Sequence, residues 1–398
     1  MEHRSTKLFR DYVRIPTVQP DPDYQPAVEL LVREAESLGL TAVTHECVPG
    51  KPVLIITWEG LEPSLTSLML NSHMDVVPVF PEHWTHPPFS AHKDKEGNIY
   101  GRGTQDMKCV GIQHLEAVRR LKESGQRLRR TIHLTFVPDE EIGGVTGMKL
   151  FVKSETFTKL NIGFGLDEGL ASPDDVIPLY FGERNKYWIK IICLGSPGHG
   201  SRFLENTAGE KAWKVINRLY EYRQEQRELL ESDSSLTLGD VTTVNLTMME
   251  GGVQVNVVPD KLSLGVDIRV TPRTDIREFE ARLRSWLDEA GSGVEMEFLV
   301  DFVDQKLTSV DETDPWYSAV TAAFRKHDLV VRPQIFPAGT DSKFLRQLGL
   351  PALGFSPMAR TPVLLHDHNE FINGRIFLDG IGIFVKLVSA LANVKDET

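Results

Sequence analysis

Three acids stand side by side at Asp139, Glu140 and Glu141, straight after the apolar run Thr131-Ile-His-Leu-Thr-Phe-Val137. Adjacent carboxylates repel, and a short acidic run ordinarily lies in a solvated turn. At the end of a strand whose composition reads as buried, it needs a neutralising partner. Three further clusters leave apolar stretches in the same way. His73 and Asp75 are two apart in Leu68-Met-Leu-Asn-Ser-His-Met-Asp75, Asp167 and Glu168 adjoin in Gly163-Phe-Gly-Leu-Asp-Glu-Gly169, and Asp106 ends the glycine-rich Gly101-Arg-Gly-Thr-Gln-Asp106. Several carboxylates and an imidazole packed together unneutralised would push some pKa values up sharply. One divalent ion, or two, resolves the repulsion, and imidazole with carboxylate donors suits zinc, with manganese or cobalt as substitutes. Singly each cluster is weak evidence, since a lone His-x-Asp is usually a satisfied core histidine and a Glu-Glu pair a surface one; their joint placement carries the reading. His83, His86 and His92 fall in a proline-rich loop without acids at ligand spacing, and His114 and His133 lie within a helix and a strand, so these five read as bystanders.

The elements that must position these residues alternate in the first 180 positions. Val28, Leu31, Ala35 and Leu38 mark an amphipathic helix closed by Gly39; 53–58 and 67–71 read as strands; Ile112, Leu115, Val118 and Leu121 line a helix starting near Asp106; 131–137 and 162–166 are further apolar strands. Continuous apolar strands between helices predict a largely parallel α/β sheet covered on both faces, with its site at the carboxyl ends of the strands. The rhythm then changes: strand 187–194, helix 206–230, strands 241–248 and 261–270, helix 275–289 and strand 294–303 give β-α-β-β-α-β, a ferredoxin-like unit. In 261–270 apolar residues take every even position, so this sheet is expected to be buried on one face. After about 310 the first rhythm returns, with a helix around 314–327 and a strand at 351–355. The expected division is one discontinuous domain, 1–185 with 306–398, interrupted by a second, 186–305.

Composition excludes several roles. The chain has 398 residues, 41% hydrophobic and 25% charged, and a formal net charge of −12, which repels phosphate backbones; nucleic acid is excluded as a partner and small molecules are favoured. Cys47, Cys109 and Cys193 are too few and too scattered for a disulfide framework or a thiolate zinc site, which suits a reducing compartment. The amino terminus carries charge throughout rather than a secretory apolar core, and no apolar run of membrane-spanning length follows, so no membrane association and a cytoplasmic location are expected. Asn245-Leu-Thr247 matches a glycosylation sequon, which has no role in such a compartment.

HMD at 73–75, GRGTQDMK at 101–108, PDEEIGG at 138–144, LDEG at 166–169 and SPGHGS at 196–201 resemble the co-catalytic zinc amidohydrolases and peptidases of the M20 family, in order and over nearly the whole chain. The stretches 72–80, 352–358 and 360–368 resemble its members that deacylate N-acyl-L-amino acids. The resemblance implies a zinc-peptidase-like α/β catalytic domain with an inserted ferredoxin-like lid that also dimerises. It makes Asp106 the carboxylate bridging two zinc ions per subunit, with His73 and Glu168 completing one site and Glu141 and His366 the other. Spacing alone does not choose Glu168 over Asp167, or His366 over His368. Asp75 would bond the far ring nitrogen of His73 or its neighbourhood and fix the tautomer, and Glu140 would be the general base. His199 would support the oxyanion, reaching the site from the partner subunit of a homodimer.

The expected reaction is zinc-dependent hydrolysis of an N-acyl-L-amino acid. A free substrate carboxylate then has to be held, and a bidentate arginine is the usual means. Arg269 and Asn256 are candidates, with Thr340, Asp341 and Arg360 after them; each could instead serve a salt bridge or a turn. A dipeptidase or carboxypeptidase of the same fold is the alternative, and a non-catalytic scaffold a further one. Retention of all five ligands and Glu140 argues against the scaffold.

Overall fold

The three strands whose exits carry the acid clusters are neighbours in space. In the computed structural model, which describes residues 2–300, 306–326 and 328–395, Ser67–His73 lies between Ile132–Val137 and Ile162–Asp167, parallel to both. The register sets His73 opposite Val137 and Leu70 opposite Leu166, so the polar residues that follow emerge at one end of the sheet. All seven residues of the first strand and all six of the second are buried, as continuous apolar strands covered on both faces should be. The helix Lys108–Glu123 packs close on this part of the sheet. Gly111 permits the approach: a Cβ there would lie 2.8 Å from the Ser72 hydroxyl and 3.0 Å from the Phe136 ring.

Eight strands form the sheet, and it is mixed, which corrects the expectation of a largely parallel one. Ala352–Gly354 extends the parallel centre beside Ile162–Asp167, but Thr41–Val48, Lys51–Trp58 and Ile132–Val137 pair antiparallel in succession. The first two are joined by Pro49-Gly50, with Gly50 at φ +76°, and so short a turn can only reverse the chain. Thr41–Val48 is a half-exposed edge strand whose residues neither alternate nor form an apolar run, so nothing in its local pattern marks it as a strand.

By its contacts the chain divides into two units, Met1–Phe181 with Leu307–Pro333 and Thr340–Thr398, and Gly182–Lys306 with Gln334–Gly339. The inclusion of 334–339 in the second has no counterpart in the sequence reading. In that unit the strands stand in the order Thr243–Gly251, Lys261–Val270, Asn185–Leu194, Val294–Phe298, all antiparallel, which is the ferredoxin-like arrangement. Its helices begin at strong caps: Thr207 and Glu210 form a capping box for Ala208–Ser232, and Asp275 caps Ile276–Ala290. Leu264, Val266, Ile268 and Val270 pack with Leu219 and Leu283 in one core. The last strand ends at Phe298 rather than 303, and 301–303 lie outside the described residues. The helix expected around 314–327 is Pro315–Arg325, capped by Asp314, and residue 327 also lies outside them. Among the described residues no helix is long and apolar enough to cross a membrane.

Candidate metal centre

At the exit of Ser67–His73, His73 Nε2 lies 3.0 Å from Asp106 Oδ1 and 3.6 Å from Glu168 Oε1. The other oxygen of Asp106 lies 3.2 Å from His366 Nε2, which is 3.0 Å from Glu141 Oε2. Two groups of potential ligands result, His73 with Asp106 and Glu168, and Asp106 with Glu141 and His366, each with its donor atoms within 4.8 Å of one another. Asp106 belongs to both.

The local structure separates neighbours that spacing could not. Asp167 accepts hydrogen bonds from Asn71, the Ser342 hydroxyl and the Glu168 amide, and Glu168 is left to face His73. His366 sits at φ +61° with its ring on Asp106, whereas the His368 ring packs against His83 at 5.0 Å between centroids. Asp139 has φ +62° and is fully buried, its carboxylate accepting from Tyr24 (2.7 Å), Gln19 (2.9 Å) and Lys51 (3.1 Å). It is the neutralised member of the acidic run. Gln19, Tyr24 and Lys51 went unnoticed in the sequence because nothing in their local pattern marks them; only the tertiary fold brings them to Asp139.

Asp75 meets His73 chiefly through its backbone. His73 Nδ1 lies 2.9 Å from the Asp75 backbone carbonyl, which suits donation to that oxygen, while the Asp75 carboxylate is 3.5 Å away. The carboxylate instead accepts from the backbone amides of Glu140 and Glu141, 3.1 Å each, and from Gln19 at 2.7 Å. Those amides open the 3-10 turn Glu140–Ile142, where N–H groups have no partner within the turn. The ring is still oriented with Nε2 toward Asp106, but by a carbonyl.

Electrostatics follow from the crowding. Burial pushes Glu140 up to about 7 and Glu141 up to about 8, with the charge of Asp106 adding to both. Burial and Asp106 likewise hold Glu168 well above the usual carboxylate range. For Asp106 burial works in the same sense, but hydrogen bonds from His366 and His73 outweigh it and hold the carboxyl well below that range. Hydrogen bonds to Asp106 and Glu141 raise His366 to about 10. Burial opposes a charge on His73, yet Glu168, Asp106 and Asp75 hold its pKa well above the ordinary value. The centre thus collects positive charge, and a divalent cation supplies it with both imidazoles neutral. Glu141 Oε1, buried without a hydrogen-bond partner, is a free donor for such an ion. Each triad offers one imidazole nitrogen and carboxylate oxygens, so the donor set fits.

Of the remaining candidates, Asp341 is buried with both carboxylate oxygens unpartnered, and the Thr340 hydroxyl accepts from the Ser342 amide. Arg360 is exposed and pairs with Asp175. In the second unit His199 and Asn256 are close: the two-residue strand Gly198–His199 pairs with Val257–Val258, and the Gly200 amide donates to the Asn256 carbonyl. His199 is exposed, its Nδ1 2.8 Å from the Ser201 hydroxyl. Arg269 lies elsewhere in that unit, forked onto Asp267 and stacked over Trp188.

The model of peptidase family M20/M25/M40 matches residues 69–390, and the chain belongs to that family. It is 53% identical to aminoacylase-1A of Rattus norvegicus over 393 residues, 99% of this chain and 96% of the relative. Among solved structures, an M20 family metallo-carboxypeptidase from Sulfolobus solfataricus superposes with a TM-score of 0.72 at 19% identity, covering 98% of this chain and 100% of that one. A dinuclear metal-binding M20 peptidase from Bacillus subtilis gives 0.67 at 14% identity, covering 98% of each. These two likenesses establish the fold.

Proposed function

We propose that the chain hydrolyses N-acyl-L-amino acids to a free L-amino acid and a carboxylate, as a cytoplasmic homodimer with two zinc ions per subunit, cobalt or manganese being acceptable in their place. The observation that carries the reading is Asp106, with one oxygen toward His73 and the other toward His366. The name of the rat relative supports the reaction, and the dinuclear character of the Bacillus structure supports the ion count. His73, Asp106 and Glu168 would hold one ion, and Asp106, Glu141 and His366 the other.

A divalent pair there supplies Lewis acidity, lowering the pKa of water and polarising a carbonyl oxygen. Glu140 takes a proton from the attacking water as its oxygen bonds to the amide carbon. The same carboxyl then returns that proton to the nitrogen as the C–N bond breaks. Asp75 holds Glu140 in place through its amide. His199 donates to the oxyanion of the tetrahedral intermediate, and Arg269 or Asn256, which lie apart in the second unit, receives the substrate carboxylate, with Thr340, Asp341 and Arg360 as secondary candidates for substrate contacts. Support for a dimer comes from Thr243–Gly251, which ends the four-stranded sheet and exposes Met248 and Met249.

A dipeptidase differs in admitting a charged α-amine. Incubating the zinc-loaded protein with N-acetylmethionine and, separately, with an unblocked methionyl dipeptide, while following amine release, decides between them. Turnover of the dipeptide alone would replace the proposed reaction.

A further inference from the structure

Glu370 is fully buried, outside both ligand groups, and takes no part in the reaction described above. Its carboxylate is nevertheless saturated by one loop. Oε2 accepts from Arg102 Nη1 at 2.8 Å and the Gly103 amide at 3.2 Å; Oε1 accepts from the Gln105 amide at 2.6 Å, the Asp106 amide at 3.3 Å and the Thr104 hydroxyl at 3.4 Å. The loop that delivers Asp106 is therefore wrapped around a single anion. Arg102 extends the connection, since its Nη2 donates to the His366 carbonyl at 3.2 Å. Gln105 adds a second tie, accepting from the Leu364 amide and donating to the carbonyls of Pro362 and Phe371.

A buried ion pair is weak evidence of stability, because desolvation offsets the attraction. The geometry here does something else. Asp106 and His366 are 260 positions apart in sequence, and their contact is the one that closes the second triad. Nothing in the local backbone fixes it: His366 occupies the left-handed region, which a histidine seldom adopts without constraint. Glu370 is only four residues further on, and through Arg102 and the amides of Gly103, Gln105 and Asp106 it holds both partners at once.

We propose that Glu370, with Arg102, is a positioning residue of the metal centre, fixing Asp106 and His366 in the arrangement that admits the ion they share. The proposal rests on the two-metal reading. Residues that orient ligands typically change metal affinity by about 10–100-fold when altered.

The test is titration of metal-free full-length protein with Co2+, followed by its visible absorption, beside urea unfolding of the same metal-free protein. Glu370→Gln keeps the size of the side chain but removes the charge and turns an amide toward the loop N–H donors. It should bind one of two Co2+ ions about 10–100-fold more weakly, with an altered spectrum. Excess metal should restore kcat while KM stays at the wild-type value. Arg102→Lys keeps the charge but offers one nitrogen where the guanidinium spans Glu370 and the His366 carbonyl with two, and it should show the same selective loss. Wild-type affinity and spectrum in Glu370→Gln overturn the proposal, even if the urea midpoint falls, because that is what a merely structural role predicts. If Glu370→Gln does not fold, wild-type Co2+ binding by Arg102→Lys overturns it. A wild-type chain that binds no Co2+ sinks the two-metal reading instead.

Discussion

Glu140 and Glu141 share a peptide bond and an amide anchor on Asp75, yet only Glu141 is bonded to His366. Substitution should therefore separate them. Glu140→Gln should keep its metal and lose about 10²–10⁴ in kcat, the usual contribution of a general base. Glu141→Gln should lose metal affinity as well. Elemental analysis beside steady-state kinetics reads both, and loss of metal by Glu140→Gln with retention by Glu141→Gln would exchange the two roles. At this scale residue types were legible because carboxylates crowded at buried strand ends repel one another unless a cation sits among them. The anchors were not. The Asp75 carboxylate engages the Glu140 and Glu141 amides as well as lying near His73, and Glu370 engages a loop 265 positions away, contacts that depend on register and chain crossing.

The turn that presents those glutamates is closed at its base by a backbone contact. A Cβ on Gly147 would lie 2.1 Å from the Pro138 carbonyl oxygen, which cannot rotate away as a side chain would. Gly147→Ala should force 138–147 apart, destabilising the fold by about 1–3 kcal/mol and weakening metal binding through Glu141; urea unfolding and Co2+ titration measure the two effects. An unchanged Co2+ affinity would show that the turn absorbs the shift elsewhere. Among the elements, the buried strands and the capped helices were readable from apolar runs and periodicity. The edge strand Thr41–Val48 was not, since a half-exposed strand carries no run of apolar residues, and with it went the antiparallel flank of the sheet.

At the scale of the whole molecule, two buried histidines that belong to neither triad carry a pH dependence of their own. Burial holds His114 down to about 3 and His133 down to about 4, against 6.5 for a free imidazole. Between pH 6.5 and 4 these two imidazoles take up protons in the unfolded chain before they do in the fold, so their contribution to stability falls as pH falls and levels off below about 3, while the raised carboxyls of Glu140 and Glu141 act in the opposite sense in metal-free protein. Neither ring nitrogen of His114 has a hydrogen-bond partner, so His114→Leu should flatten this acid limb at little cost at neutral pH. Urea unfolding at pH 7 and pH 5 in excess chelator tests it, and an unaltered limb would assign the pH dependence to other groups. The proposed dimer makes a separate demand. If His199 serves the partner's site, refolding Glu140→Gln with His199→Ala chains should restore activity, to roughly a quarter of wild type for random mixing and independent sites. No recovery in proven heterodimers would return His199 to its own chain. Finally, the two triads differ in access: the His73 side chain is 1% exposed and the His366 side chain 49%. One ion would sit behind protein and the other beside solvent, so a chelator should strip the protein in two kinetic phases, the His366 ion leaving first. The enzyme would then sense the free metal of its surroundings through a single labile ion while the other stays resident.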